Sequence, residues 1–151
     1  MLFLLSLACG EAEPSLVIGH GVAGGFTPYE DGEQAGILSA PQGGFGVPVR
    51  AQTTGLYCGD EETPNADIAV LLETQIDGQV SASFLNDTAV IYCQDDGTGL
   101  VWDLVVGFSK DDYGSDNLVD LDGQVVDLIV EATDVDGVTA GSQVTVEILV
   151  Q

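Results

Sequence analysis

Positive charge is almost missing from this chain. Its 151 residues hold two Lys or Arg and one His against 25 Asp or Glu, a formal net charge of −23. Such a field repels phosphate backbones and anionic headgroups, which excludes nucleic-acid binding, and it attracts cations. The lone His20 leaves no histidine set for zinc, and neither C-x-x-C nor H-E-x-x-H occurs. The G-x-S-x-G elbow and the phosphate loop are missing too. No apolar run reaches the roughly 20 residues that a membrane-spanning helix needs. Every such run after the first is broken by Asp, Glu, Gln or Gly. No segment keeps a helical period, and Ala, Leu, Lys and Glu do not cluster as helix formers would.

What is present reads as strand. Hydrophobic residues make up 45% of the chain, enough to argue for a packed core despite the charge. At this length one domain is expected over residues 16–151, burying about two-thirds of its unfolded surface. Leu16-Val17-Ile18 opens it. Phe45-Gly-Val47-Pro-Val49-Arg-Ala51 alternates with the period of a half-buried strand, and Pro48 points it to an edge or bulge. Residues 68–85 read as a hairpin on the Asp77-Gly78 turn. Further strands follow at 89–93, 100–108, 125–132 and 144–150, while the Gly-rich stretch from Gly19 to Gly46 reads as more loop than strand. Seven to nine short strands with turns between them predict an all-β fold, an antiparallel immunoglobulin-like β-sandwich. A small up-and-down β-barrel is the alternative that strand counting leaves open.

The N-terminus reads Met1-Leu-Phe-Leu-Leu-Ser-Leu-Ala-Cys9-Gly10, then the polar Glu11-Ala-Glu-Pro-Ser15. An apolar run, a small residue, a cysteine and an immediate polar stretch resemble the end of a bacterial lipoprotein export signal. The expectation is a remnant signal over residues 1–8, lipid on Cys9, and an acidic tether over residues 9–15. Gly10 rather than Asp after the cysteine favours an outer-membrane destination. The two remaining cysteines, Cys58 and Cys93, predict one disulfide in an exported domain.

Two wider resemblances accompany this. Gly123 to Gly137, with its Asp-Val-Asp-Gly end, and the closing Val144-Thr-Val-Glu-Ile148 resemble the last strands of immunoglobulin-like domains in bacterial surface proteins. The antibody order Cys…Trp…Cys is not present, because Trp102 follows both cysteines. Ile18-Gly-His-Gly, Phe26-Thr-Pro-Tyr-Glu-Asp-Gly-Glu33, Pro41-Gln-Gly-Gly-Phe45, Val49-Arg50 and Gly55-Leu56 are similar to a pattern in predicted lipoproteins of myxobacteria and their relatives. That resemblance implies a lipoprotein with a β-rich fold and carries no activity with it.

Candidate chemistry is sparse. Asp120-Leu-Asp122-Gly and Asp134-Val-Asp136-Gly each place two carboxylates before a glycine, which makes calcium the one metal to consider, with Asp111, Asp112 and Asp116 nearby in sequence. The plainer reading is turn chemistry, with Asp bonding local amides and Gly taking positive φ. No other cofactor is expected. Arg50 reads as a local ion-pair partner, and His20 alone is a thin basis for catalysis. The sequence therefore points to a non-enzymatic, lipid-anchored envelope module with a structural or binding role and an unknown protein or cell-surface partner. A calcium-stabilised adhesion-type domain and a small secreted hydrolase using an Asp/Glu pair are the alternatives.

Overall fold

The computed structural model describes residues 13–40 and 43–151. Ten strands form in chain order: β1 (Ser15–His20), β2 (Thr27–Pro28), β3 (Glu33–Gly36), β4 (Leu38–Ser39), β5 (Phe45–Thr54), β6 (Asn65–Ile76), β7 (Gln79–Cys93), β8 (Gly99–Gly107), β9 (Val125–Thr133) and β10 (Thr139–Leu149). One 3-10 turn, Leu118–Leu121, precedes β9. No helix among the described residues is long and apolar enough to cross a membrane.

The strands belong to one ladder in the order β2-β1-β5-β8-β7-β6-β9-β10-β3, with β4 paired to β5 beside it. All pairings are antiparallel except β3 on β10. The all-β expectation holds. The immunoglobulin-like sandwich is not confirmed, because the strands form one mixed sheet, strongly curled into a half-barrel. Nor is it a closed up-and-down barrel among the described residues, since β2 and β3 remain the two ends of the ladder.

The curl follows from how the strands alternate. On β9, Val126, Leu128, Val130 and Ala132 are buried and their neighbours are not. β6 buries Ile68, Val70, Leu72 and Thr74, and β5 buries Val47, Val49, Ala51 and Thr53 by the same period of two. β7 and β8 hydrogen-bond only where Ile91–Cys93 meet Gly99–Val101. Beyond that corner β7 follows β6 while β8 follows β5. The end of β8 comes against β6, where the buried Thr74 hydroxyl donates to the Gly107 carbonyl at 2.7 Å. Across the core β1 lies against β9 and β10, so both halves of the ladder bury one shared face.

Two local details bear on sequence reading. Asp77 (φ 51°) and Gly78 (φ 74°) make the expected hairpin turn with both central residues left-handed. The Gly-rich stretch is more loop than strand, as expected, but it also holds the short strands β2, β3 and β4. These strands are two to four residues long, too short to show a period. Gly19 explains one of them, since a Cβ there would lie 2.3 Å from the Thr27 carbonyl oxygen, so β1 and β2 can pair only around a glycine.

Cys58, between β5 and β6, is bonded to Cys93 at the end of β7, with Cα atoms 5.1 Å apart and a sequence separation of 35. The bridge sits at the corner where β7 meets β8. Opening a loop of that length is expected to cost about 3–4 kcal/mol. Replacing both cysteines by serine should therefore lower the urea midpoint strongly, and Leu128→Ala, which empties a fully buried position, should cost about 2–5 kcal/mol. An unchanged midpoint in the double serine variant would remove the bridge from the stability account.

Candidate functional site

A cleft of about 510 Å³ lies between the β3–β4 segment and strands β5 and β8. That volume is within the range of small-molecule sites. His20, Tyr29, Glu33, Arg50 and Asp103 supply its polar wall, and Leu38, Pro48, Val49 and Val105 supply an apolar one.

The polar wall is braced. His20, the last residue of β1, places Nε2 3.1 Å from Glu33 Oε1. The other oxygen of Glu33 accepts the Glu30 amide at 3.0 Å. The turn between them is pinned to β10: Gly32 donates to the Thr145 carbonyl at 2.8 Å, and the Thr145 amide donates to Asp31 Oδ1 at 3.0 Å. Tyr29 sets its ring 4.7 Å from the imidazole and donates its hydroxyl to the Pro48 carbonyl at 3.4 Å. Burial first, and the Glu33 carboxylate second, push the Tyr29 phenol up from 10.0 to about 12. The phenol is thus held as a hydrogen-bond donor.

Arg50 and Asp103 meet at an irregularity. Val49 pairs with Leu104 and Ala51 with Val101, so the single Arg50 stands opposite both Trp102 and Asp103. This is the two-against-one count of a β-bulge. Asp103 takes φ 55°, a left-handed conformation that costs a non-glycine residue of order 1 kcal/mol or more. Arg50 donates one N–H to the Gly25 carbonyl and lies 5.7 Å from the centre of the Trp102 ring. Trp102 is in turn stacked on Tyr92 at 5.1 Å. Among the described residues Arg50 makes no ion pair, which corrects its reading as a local ion-pair partner. Its partners are a carbonyl and an indole face, a geometry that suits a planar guanidinium.

The residues expected to bind calcium do not converge. Asp120 and Asp122 precede β9 and Asp134 and Asp136 follow it, so the strand separates the two pairs by about 25 Å. Asp134 is buried and already employed: Oδ2 accepts the Tyr57 amide at 2.8 Å, and Oδ1 accepts the amides of Asp136 (3.0 Å) and Val138 (2.9 Å). Asp122 accepts the Val150 amide at 2.9 Å. Asp120 and Asp136 are exposed. No cluster of three or more His, Cys, Asp or Glu side chains suited to a metal occurs among the described residues. The Asp-x-Asp-Gly motifs are turns, and Asp134 is a clamp between the β9–β10 turn and the segment leading to Cys58. Cys9, the expected lipid site, lies outside the described residues.

Sequence reading did not identify the cleft. Its signal was present in the segment that carries the lipoprotein resemblance, which supplies His20, Tyr29, Glu33 and Arg50. Asp103 sits 53 residues after Arg50 and carries no local signal. Compared with protein-family models and with curated proteins, the chain matches none.

Two outcomes follow. Asp134→Ala strands three amides and is expected to destabilise the fold by about 1–3 kcal/mol, measured by chemical unfolding; no loss would deny the clamp. Because the folded state holds the Tyr29 proton more tightly than the unfolded chain, that contribution is complete below pH 10.0 and is lost as the pH rises towards about 12. Melting temperatures across that window should fall less in Tyr29→Phe than in the native chain, and equal slopes would contradict the assignment.

Proposed function

We propose that the chain is a lipid-anchored module of the cell envelope that binds a small ligand in the His20–Arg50 cleft and performs no catalysis. One observation carries the binding reading: His20, Tyr29 and Glu33 of the cleft are committed to holding its shape. Glu33 spends one oxygen on His20 and the other on an amide, and Tyr29 keeps its proton and donates it to a carbonyl. Groups fixed in this way favour recognition over proton traffic. The Cys58–Cys93 bridge supports an exported compartment. The anchor rests on the Leu-Ala-Cys9-Gly sequence and on the resemblance to lipoproteins. The apolar segment before Cys9 supports removal of a signal, and Gly10 supports the outer membrane as destination.

A second reading, a secreted hydrolase using a carboxylate pair, has one observation in its favour, which is that Glu33 and Asp103 line the same cleft. The double engagement of Glu33 makes it an orienting group rather than a proton donor.

The intact mass of protein extracted from native-host membranes tests the anchor. A chain starting at Cys9 with added acyl groups, gaining about two hydrogens on reduction, is the expected result. An unmodified chain starting at Met1 in the soluble fraction, with free thiols, would overturn both anchor and export.

A further inference from the structure

The whole chain carries only two Lys or Arg and one His. Two of those three basic side chains, His20 and Arg50, line one cleft. The strand that carries Arg50 has no acid near it in sequence, since no Asp or Glu occurs from Gln34 to Gly59, and the cleft's acidic residues are Glu33 and Asp103. The Arg50 guanidinium is the cleft's one Lys or Arg side chain. Facing the same cavity is Asp103, on the strand opposite Arg50, held in a left-handed backbone conformation by the bulge. The two opposite charges share a cleft without forming an ion pair with each other. Beside them lies the apolar wall of Leu38, Pro48, Val49 and Val105.

We propose that the cleft takes a small zwitterion, an apolar α-amino acid or short apolar peptide. Arg50 receives its carboxylate, Asp103 its ammonium, and the apolar wall its side chain. This rests on the reading of the cleft as a ligand site. The guanidinium spends one N–H on Gly25 and offers others in a planar fork suited to a carboxylate. His20, braced by Glu33 through Nε2 and standing against Tyr29, adds a fixed ring to the same wall. A free anion of the same shape would meet the repulsion of the −23 field. A zwitterion carries no net charge, so it reaches the cleft without that penalty and uses both local charges once inside. The strained backbone of Asp103 has the same rationale, since the bulge aims a carboxylate where a regular strand would not.

Titration calorimetry and amide NMR on the full chain would test this with L-leucine and Leu-Leu, against isopentylamine and 4-methylpentanoate as amine-only and acid-only counterparts. The zwitterions are expected to bind with little dependence on ionic strength and to shift amides at His20, Arg50 and Asp103, while both counterparts bind more weakly. Arg50→Gln and Asp103→Gly should each weaken zwitterion binding about tenfold or more, the loss expected of a hydrogen bond to a charged group. Asp103→Gly separates a binding role from a structural one, because glycine fits the left-handed position and should leave the melting temperature unchanged or raised. Binding of a counterpart as tightly as the zwitterions, or zwitterion binding unaffected by Asp103→Gly, overturns the ligand assignment while leaving the cleft a ligand site. If none of the four probes shifts the cleft amides, the zwitterion assignment fails. The site itself fails only if a chemically mixed fragment set also leaves those amides unmoved.

Discussion

Among the described residues the sheet has one apolar face and no α-helix to cover it, so it buries that face against itself. This constraint organises the molecule. The single ladder runs from β2 to β3, and its inward residues, among them Val47, Val70, Leu128 and Val146, are fully or almost fully removed from water only because the ladder curls until β1 lies over β9 and β10. Apolar burial drives the curl, and right-handed strand twist gives it direction. β7 pairs with β8 only from Ile91–Val101 to Cys93–Gly99, so the ladder turns a corner there. The bridge from Cys58 to Cys93 ties the chain at that same corner.

The cleft is a consequence of the curl. β3 joins the far end of the ladder in parallel with β10, whereas β4, which begins two residues later, pairs with β5 near the other end. The segment from Glu33 to Ser39 therefore spans the two halves of the half-barrel, and the space between it and β5 and β8 is the cavity. Its polar groups come from elements that must be in place for other reasons. Glu33 begins β3, His20 ends β1, and Arg50 and Asp103 occupy the bulge between β5 and β8. Buried polar groups elsewhere are few and satisfied: Thr53, Thr74 and Asp134 each have hydrogen-bond partners. Backbone strain and opposed unpaired charges are instead gathered in the cleft wall, where a ligand can use them.

The acidic surface has a different logic. Between Gln34 and Gly59 it is interrupted altogether, and that stretch supplies β4, β5 and most of the cleft's apolar wall. Elsewhere carboxylates serve turns locally: Asp60 accepts the amides of Glu62 and Thr63, Asp96 the amide and hydroxyl of Thr98, and Asp134 three amides at once. Much of what composition registers as charge is, in structural terms, turn chemistry that leaves a net field as a by-product. The acid motifs that suggested calcium belong to this group.

The sequence by itself determined whatever has a short range. Period-two burial was legible on β5, β6, β9 and β10, the left-handed pair Asp77-Gly78 was legible as a hairpin, and two cysteines in one domain were legible as a bridge. These follow from alternation, φ preference and parity, which neighbours along the chain decide. Only the tertiary structure decided the rest: that the strands form one curled ladder rather than two sheets, that β3 adds in parallel to β10, and that Asp103 returns to face Arg50 across 53 residues. The physical reason is the same in each case. Sheet closure and bulge register are set by which distant strands share a buried face, and no local pattern of residues encodes that choice.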